Sequence, residues 1–239
     1  MQQKAQSEAS RPPQERALKS RRKILDSARS AFARRGFDGT NIREIAESVG
    51  LTHTLIRYHF GNKDDLWKAV VDDMFDRLSD AMSIEQLGEI DLGTQAGLRF
   101  WLRRYVKYCA ENPDHARMMI HESMANSPRL DYLMSQVEVR HARLIPKVKE
   151  LMGKNIIPQT WLVSHFYIIS TICEMPFVLA RAVNRLYEVD MTTEAAIDAH
   201  TDAVLAFVLG DQCNDTGNWP SLPPWAAKAA ASSASTNAA

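Results

Sequence analysis

The stretch TNIREIAESVGLTHTLIRYHFGNK, residues 40–63, holds two short helical patterns hinged on one glycine. In the first, Ile42, Ile45, Ala46 and Val49 recur at i, i+3, i+4 and i+7, the spacing of one apolar helix face. Asn41 is placed to cap that helix, Glu44 stands three residues on in a capping-box-like pair, and Gly50 follows the last turn. Leu51 anchors the turn, Thr52 caps a helix predicted from His53 to about Phe60, and Asn62 caps another that opens at Lys63. Upstream, Ile24, Ala28, Ala31 and Phe32 form the apolar face of a helix predicted over residues 18–35 and ended by Gly36. Helix, tight glycine turn, helix, with a preceding helix to pack on, is the plan of a helix-turn-helix DNA reader.

A generic helical hairpin shares the glycine turn, so the surface of residues 53–60 decides. At about 100° per residue, Ile56 and Phe60 fall within about 40° of each other and form the buried edge. Thr54 and Tyr58 centre the opposite side with Leu55 close by, His53 and Arg57 take one flank, and His59 the other. An ordinary exposed helix carries Glu–Lys pairs at such positions. Here no acid occurs from Leu51 to Asn62. The helix is about 12 Å long, close to the width of the B-DNA major groove at about 12 Å. Arg57 suits bidentate donation to guanine, Thr54 and Leu55 suit a thymine methyl, and His53 and Tyr58 complete the base-reading candidates. Thr52, Tyr58 and His59 are candidate phosphate donors. Lys63 stands where a helix start already favours an anion.

Composition agrees with a DNA-binding front end. The 239 residues carry no net charge, but residues 1–63 hold 13 Lys+Arg against 6 Asp+Glu, leaving the remainder acidic. Such asymmetry points the basic part toward nucleic acid. Apolar residues at 45% and charged residues at 24% fit a soluble globular protein. Cys109, Cys173 and Cys213 lie far apart with no ligand-type spacing. No apolar secretory segment opens the chain, and a cytoplasmic protein is the expectation. The greasiest stretch, WLVSHFYIISTICEMPFVLA, contains His165, Glu174 and Pro176 and is read as a buried helix, not a membrane span.

The run GFDGTNIREIAESVGLTHTLIRYHFGNKDDLWKAVV resembles the DNA-binding domain of the TetR family of transcriptional regulators. The resemblance rests on Phe37, Thr40, Ile45-Ala46, Gly50-Leu51-Thr52, Ile56, Tyr58-His59-Phe60 and the segment from Lys63 to Leu66. It adds Thr40, in the turn before the second helix, to the candidate phosphate contacts. It implies a dimer on a palindromic operator, usually a repressor, released when a small molecule binds the C-terminal domain. At Thr54 and Arg57 the chain departs from the family's usual residues. Both are reading positions, so operator sequence does not carry over.

The expected architecture is all-α: a flexible arm (1–17), a three-helix helix-turn-helix domain (18–63), a helical ligand-binding and dimerisation domain (64–210) and a flexible tail (211–239). Beyond the helix after Lys63, helices are predicted at about 94–111, 114–126, 129–152, 159–184 and 193–210, with kinks or breaks at Pro146 and Pro176. The segment Trp161 to Val183 is apolar on nearly every side and needs cover all round. A twin chain supplies it economically, with Trp161, Ile168, Ile172 and Val178 meeting the small residues Ala199, Ala203 and Ala206 in a two-fold four-helix contact. A ligand pocket among these helices would draw on Trp101, Tyr105, Met118, His121, Phe166, Tyr167 and Phe177. Aromatic and Met residues at helical spacing are also what an ordinary core contains.

Two other classes compete. An enzyme would have to use His115, His121, Glu122 or His165, yet no H-E-x-x-H, G-x-S-x-G, Gly-rich phosphate loop or cysteine pair accompanies them. No cofactor, metal or catalytic residue is expected. An architectural DNA binder without an effector would share the first domain and differ only in the second. The expected partners are therefore operator DNA, a second copy of the chain and a small-molecule effector, with no membrane.

Overall fold

The computed structural model describes residues 13–83, 94–125, 127–151 and 158–210. Most of the expected arm, the expected tail and Cys213 lie outside the described residues. Regular structure among those described is entirely helical, in the order α1 (Pro13–Arg35), α2 (Ile42–Ser48), α3 (His53–Phe60), α4 (Lys63–Ala81), α5 (Gln95–Glu111), α6 (Pro113–Met124), α7 (Arg129–Leu151), α8 (Gln159–Val178), α9 (Ala180–Tyr187) and α10 (Glu194–Leu209). The chain forms two compact units, one of residues 1–83 and 114–152, the other of residues 84–113 and 153–239.

In the first unit, α1 packs against α2 and α4, α2 against α3, α3 against α4, and α4 against α7. Each predicted apolar face goes inward. Ile24, Ala28 and Phe32 meet Ile45 and Ala46, Ile56 and Phe60, and the α4 stripe of Leu66, Trp67, Val70, Val71 and Met74. Helices α6 and α7 add Met118 and Leu133 to this core. Tyr132 of α7 sets its ring edge-on to Trp67 and donates its hydroxyl to Asp72 at 2.6 Å. Along the α1–α4 seam, Arg22, Arg29 and Arg77 share the carboxylates of Asp26 and Asp73 at 2.5–3.6 Å. These groups are partly solvated, so the network fixes the register of the two helices more than it stabilises them.

Capping follows the sequence with two exceptions, at Thr52, whose side chain makes no capping bond, and at Glu44. Asn41 accepts from the Arg43 N–H at 2.9 Å, and Asn62 accepts from the Asp65 N–H at 2.9 Å. Glu44 does not complete a capping box. Its carboxylate is held at 2.5 Å by Arg35 of α1, which outcompetes a backbone N–H because the donor is charged.

The second unit packs α5 against α8 and α10, with α9 and α10 against α8. Leu102, Val106, Cys109, Cys173, Phe177, Val204 and Leu205 are buried on these helices. Tyr105 donates to Glu174 at 2.7 Å. Burial raises the pKa of Glu174 and lifts the nearby Cys173 thiol to about 12. The break expected at Pro176 falls at Leu179, which divides α8 from α9, whereas the division expected at Pro146 does not occur, α7 running through it to Leu151. And α8, although long and apolar enough to cross a membrane by length and composition, is not a buried helix in the single chain. Only Cys173 and Phe177 are buried on it, while Tyr167 is 68% and Ile168 51% exposed, because α5 and α10 cover one side alone.

Candidate nucleic-acid interface

Helix α3 is short because glycines bracket it. Gly50 takes φ +68° in the preceding turn, where an L side chain is strained, and the turn closes through the Leu51 N–H to the Ala46 carbonyl at 2.9 Å. Gly61 takes φ +80° at its end, and its N–H donates to the Arg57 carbonyl at 2.8 Å. Between them Ile56 and Phe60 are buried in the core of the first unit. Thr52, His53, Thr54, Arg57 and Tyr58 are exposed, Tyr58 most of all at 79%, and Leu55 and His59 are half-buried. The Thr52 side chain makes no capping bond.

Beside α3 opens a polar cleft of about 530 Å³ lined by Asp38 to Arg43, His53, Arg57 and Lys63. Arginine, histidine and lysine from three helices thus face one concavity. Arg43, on the exposed side of α2, was missed by sequence reasoning; its signal was its place beside the cap, away from Ile42, Ile45 and Ala46. Thr40 borders the cleft but is 3% exposed, its hydroxyl donating to the Gly36 carbonyl at 2.7 Å. It locks the α1–α2 turn.

His59 turns partly inward. Its Nε2 is buried with no hydrogen-bond partner among the described residues, and its ring lies edge-on to Tyr58. Burial lowers its pKa and the Arg21 guanidinium lowers it further, so the neutral ring is favoured. Arg21, the other cation that sequence reasoning missed, reaches from α1 to within 5.1 Å of the Phe60 ring centroid.

Lys63 opens α4 with its ammonium 4.4 Å from the centre of the Phe37 ring. The same ring carries the Arg129 guanidinium at 3.7 Å and stacks nearly parallel on Phe32. Burial lowers the Lys63 pKa; Asp38 and Asp64 oppose that shift and Arg129 adds to it.

The other expected residues divide between the units. Met118 is 2% exposed within the core of the first unit, and His121, exposed on the same unit, sits beside Gly36. Glu122 is 3% exposed, held by Ser127 and Arg129. In the second unit Trp101 stacks on Tyr105, half-buried Phe166 and exposed Tyr167 follow each other on α8, and Phe177 is buried against His200. Of the expected dimer contacts, Ile168, Ala199 and Ala203 are exposed and Trp161, Ile172, Val178 and Ala206 half-buried, with Trp161 stacked on His165. No group of residues able to hold a metal occurs among those described.

Residues 24–70 match the family model for bacterial regulatory proteins of the tetR family. The helix-turn-helix domain belongs to the tetR family. Over 74 residues the chain is 34% identical to the transcriptional repressor AcnR of Corynebacterium glutamicum, covering 31% of this chain and 39% of that protein. Over 58 residues it is 33% identical to IcaR, the negative transcriptional regulator of the biofilm operon in Staphylococcus epidermidis, covering 24% and 31%. The matched segments thus span less than half of these relatives, which are regulators of transcription. The fold extends further. A solved complex of AibR with isovaleryl coenzyme A and operator DNA superposes with a TM-score of 0.58 at 16% identity, covering 78% of this chain and 96% of AibR. A TetR-like regulator from Rhodococcus superposes at 0.56 with 18% identity, covering 84% and all of its chain. At such identity the likeness shows the fold: an N-terminal helix-turn-helix joined to an all-helical remainder.

Proposed function

We propose that this chain is a transcriptional regulator that binds a palindromic double-stranded DNA operator as a homodimer, represses, and is released by a small-molecule effector. One observation carries the DNA-binding reading: the exposed side of α3 holds Thr54, Arg57 and Tyr58 with no acid from Leu51 to Asn62, next to a cleft lined by Arg43, His53 and Lys63. In this reading Thr54, Leu55, Arg57, Tyr58 and His53 face base edges, while Thr52, Tyr58 and Lys63 take phosphates. Thr40 and His59 serve chiefly by holding the turn and the helix, since the hydroxyl of one and the Nε2 of the other are directed inward.

Under this proposal residues 18–63 do the reading, and residues 64–210 carry dimer and effector functions. Exposed Ile168, Ala199 and Ala203 suit an isologous helix contact that one chain leaves uncovered. The effector role is supported by the AibR complex, in which an acyl-coenzyme A and operator DNA are held by a protein of the same fold. Catalysis by Glu122 is disfavoured by its occupation with Arg129 and Ser127. The protein works in the cytoplasm, where its DNA is.

The test is a mobility shift on duplexes from the promoters flanking the chain's own gene, against mixed-sequence competitor. Site-specific retention that weakens steeply with salt supports the reading, and retention indistinguishable from competitor overturns it. Repeating the shift with extracts of cell metabolites separates an effector-released repressor from a binder without effector.

A further inference from the structure

The Phe37 ring joins two parts of the first unit that lie far apart in sequence. Lys63 on the cleft rests on it at 4.4 Å, and Arg129, the first residue of α7, covers it at 3.7 Å. Arg129 is itself pinned: its Nε lies 3.4 Å from a carboxylate oxygen of Glu122, and Ser127 donates to the same carboxylate at 3.0 Å. Glu122 is almost wholly buried, so this pairing is held firmly. Phe37 in turn cannot tilt freely, being stacked on buried Phe32 with 7° between the planes.

We infer that Arg129 is a positioning residue for DNA binding, which fixes Phe37 and thereby holds the Lys63 ammonium ready for a phosphate at the cleft. The inference rests on the DNA-binding reading above. A free lysine has four rotatable bonds and loses their freedom on gripping a phosphate. Resting the ammonium on an aromatic face removes part of that freedom beforehand. Arg129 contributes twice. It clamps the ring, and its like charge keeps the ammonium from folding inward toward Glu122.

The experiment measures binding to a fluorescein-labelled 30-base-pair duplex of mixed sequence between 50 and 200 mM salt. Each phosphate contact contributes about 0.9 to the slope of log K against log salt. Lys63→Ala sets the reference loss of about one contact. Arg129→Ala is expected to lower the slope by the same amount and to weaken binding roughly five- to tenfold at 100 mM salt. Adding Lys63→Ala to it should change the slope no further. Because Arg129→Ala leaves Glu122 unpaired, a second variant, Arg129→Met with Glu122→Gln, removes both charges and keeps the packing; it should show the same shallow slope with the fold intact by circular dichroism. A normal slope in this double variant, with a reduced one in Lys63→Ala, overturns the inference alone. Absence of salt-dependent DNA binding by the unsubstituted chain overturns the functional reading and this inference with it.

Discussion

The Nε2 of His200 lies 2.9 Å from the carbonyl oxygen of Ile172. That carbonyl is the one left without its helical donor by Pro176, four residues on, which has no N–H. A carbonyl only accepts, so Nε2 carries the proton and the neutral ring suffices. Burial lowers the His200 pKa, opposed by this same hydrogen bond. One histidine on α10 thus completes the hydrogen bonding of α8 while its ring stands edge-on to Phe177.

The pairing predicts a coupling. His200→Ala leaves the Ile172 carbonyl unsatisfied and should destabilise by about 1–3 kcal/mol beyond the lost packing. In a Pro176→Ala background the helix supplies its own donor at position 176, and the same substitution should cost less by about 1 kcal/mol or more. Urea unfolding of the four proteins in this cycle decides it; strict additivity would mean that His200 acts by packing alone.

How far the sequence reaches is visible in these two helices and in α3. The limits of α3 were legible from Gly50, Gly61 and the Ile56–Phe60 spacing, all local signals, and the structure puts its ends at His53 and Phe60. Pro176 signalled locally that a carbonyl would be orphaned, but the donor lies 28 residues further along the chain, and no pattern near His200 announces it. Arg129 on Phe37 is the same case, joining residues distant in sequence through a ring face. Met118 has the periodicity of a core residue and of a pocket residue alike, and only its place beside Trp67 and Leu133 in the first unit's core decides between them. Long-range pairing has no local signature; flanking glycines and helical spacing do.

A second prediction concerns acid. His115 is buried, its ring edge-on to Phe75, and burial with the added effect of Arg140 lowers its pKa from 6.5 to about 4. Below pH 6.5 the unfolded chain takes up a proton that the folded chain refuses, so stability present above that pH is lost as pH falls toward 4. The loss from this residue should be roughly 2 kcal/mol at pH 5. Urea midpoints at pH 7 and pH 5 measure it. His115→Gln should flatten the difference, and an undiminished pH dependence in that variant would assign it elsewhere, with His59, His141 and His200 the next groups since their pKa values are lowered too.

The exposed side of α8 leads to a third. Ile168 is half exposed on a helix whose single-chain cover is one-sided. If a second copy supplies the missing cover, Ile168→Glu places two like charges in an apolar contact related by a two-fold axis, and the dimer should dissociate. Sedimentation of the unsubstituted chain should show a dimer and that of Ile168→Glu a monomer with unchanged helicity. A single monomeric species in both would remove the dimer from the proposal.

Arg57 separates reading from gripping. It is exposed on α3 and lines the same cleft as Arg43 and Lys63, so under the proposed function it serves either base edges or the backbone. As a reader of guanine it would donate two parallel hydrogen bonds that lysine cannot reproduce. Arg57→Ala should then cost about 1–3 kcal/mol on the operator, relax preference at one base pair of each half-site and leave the salt slope nearly unchanged. Arg57→Lys should recover little of that preference. As a phosphate contact, Arg57→Ala instead weakens all sequences alike and lowers the slope by about one, and lysine restores it. Selection of bound sequences from a randomised duplex pool, run beside the salt titration, distinguishes the two. The acid-free run from Leu51 to Asn62 serves either role, but the flank position of Arg57 beside Thr54 favours the base, and loss of preference at one position is the expected result.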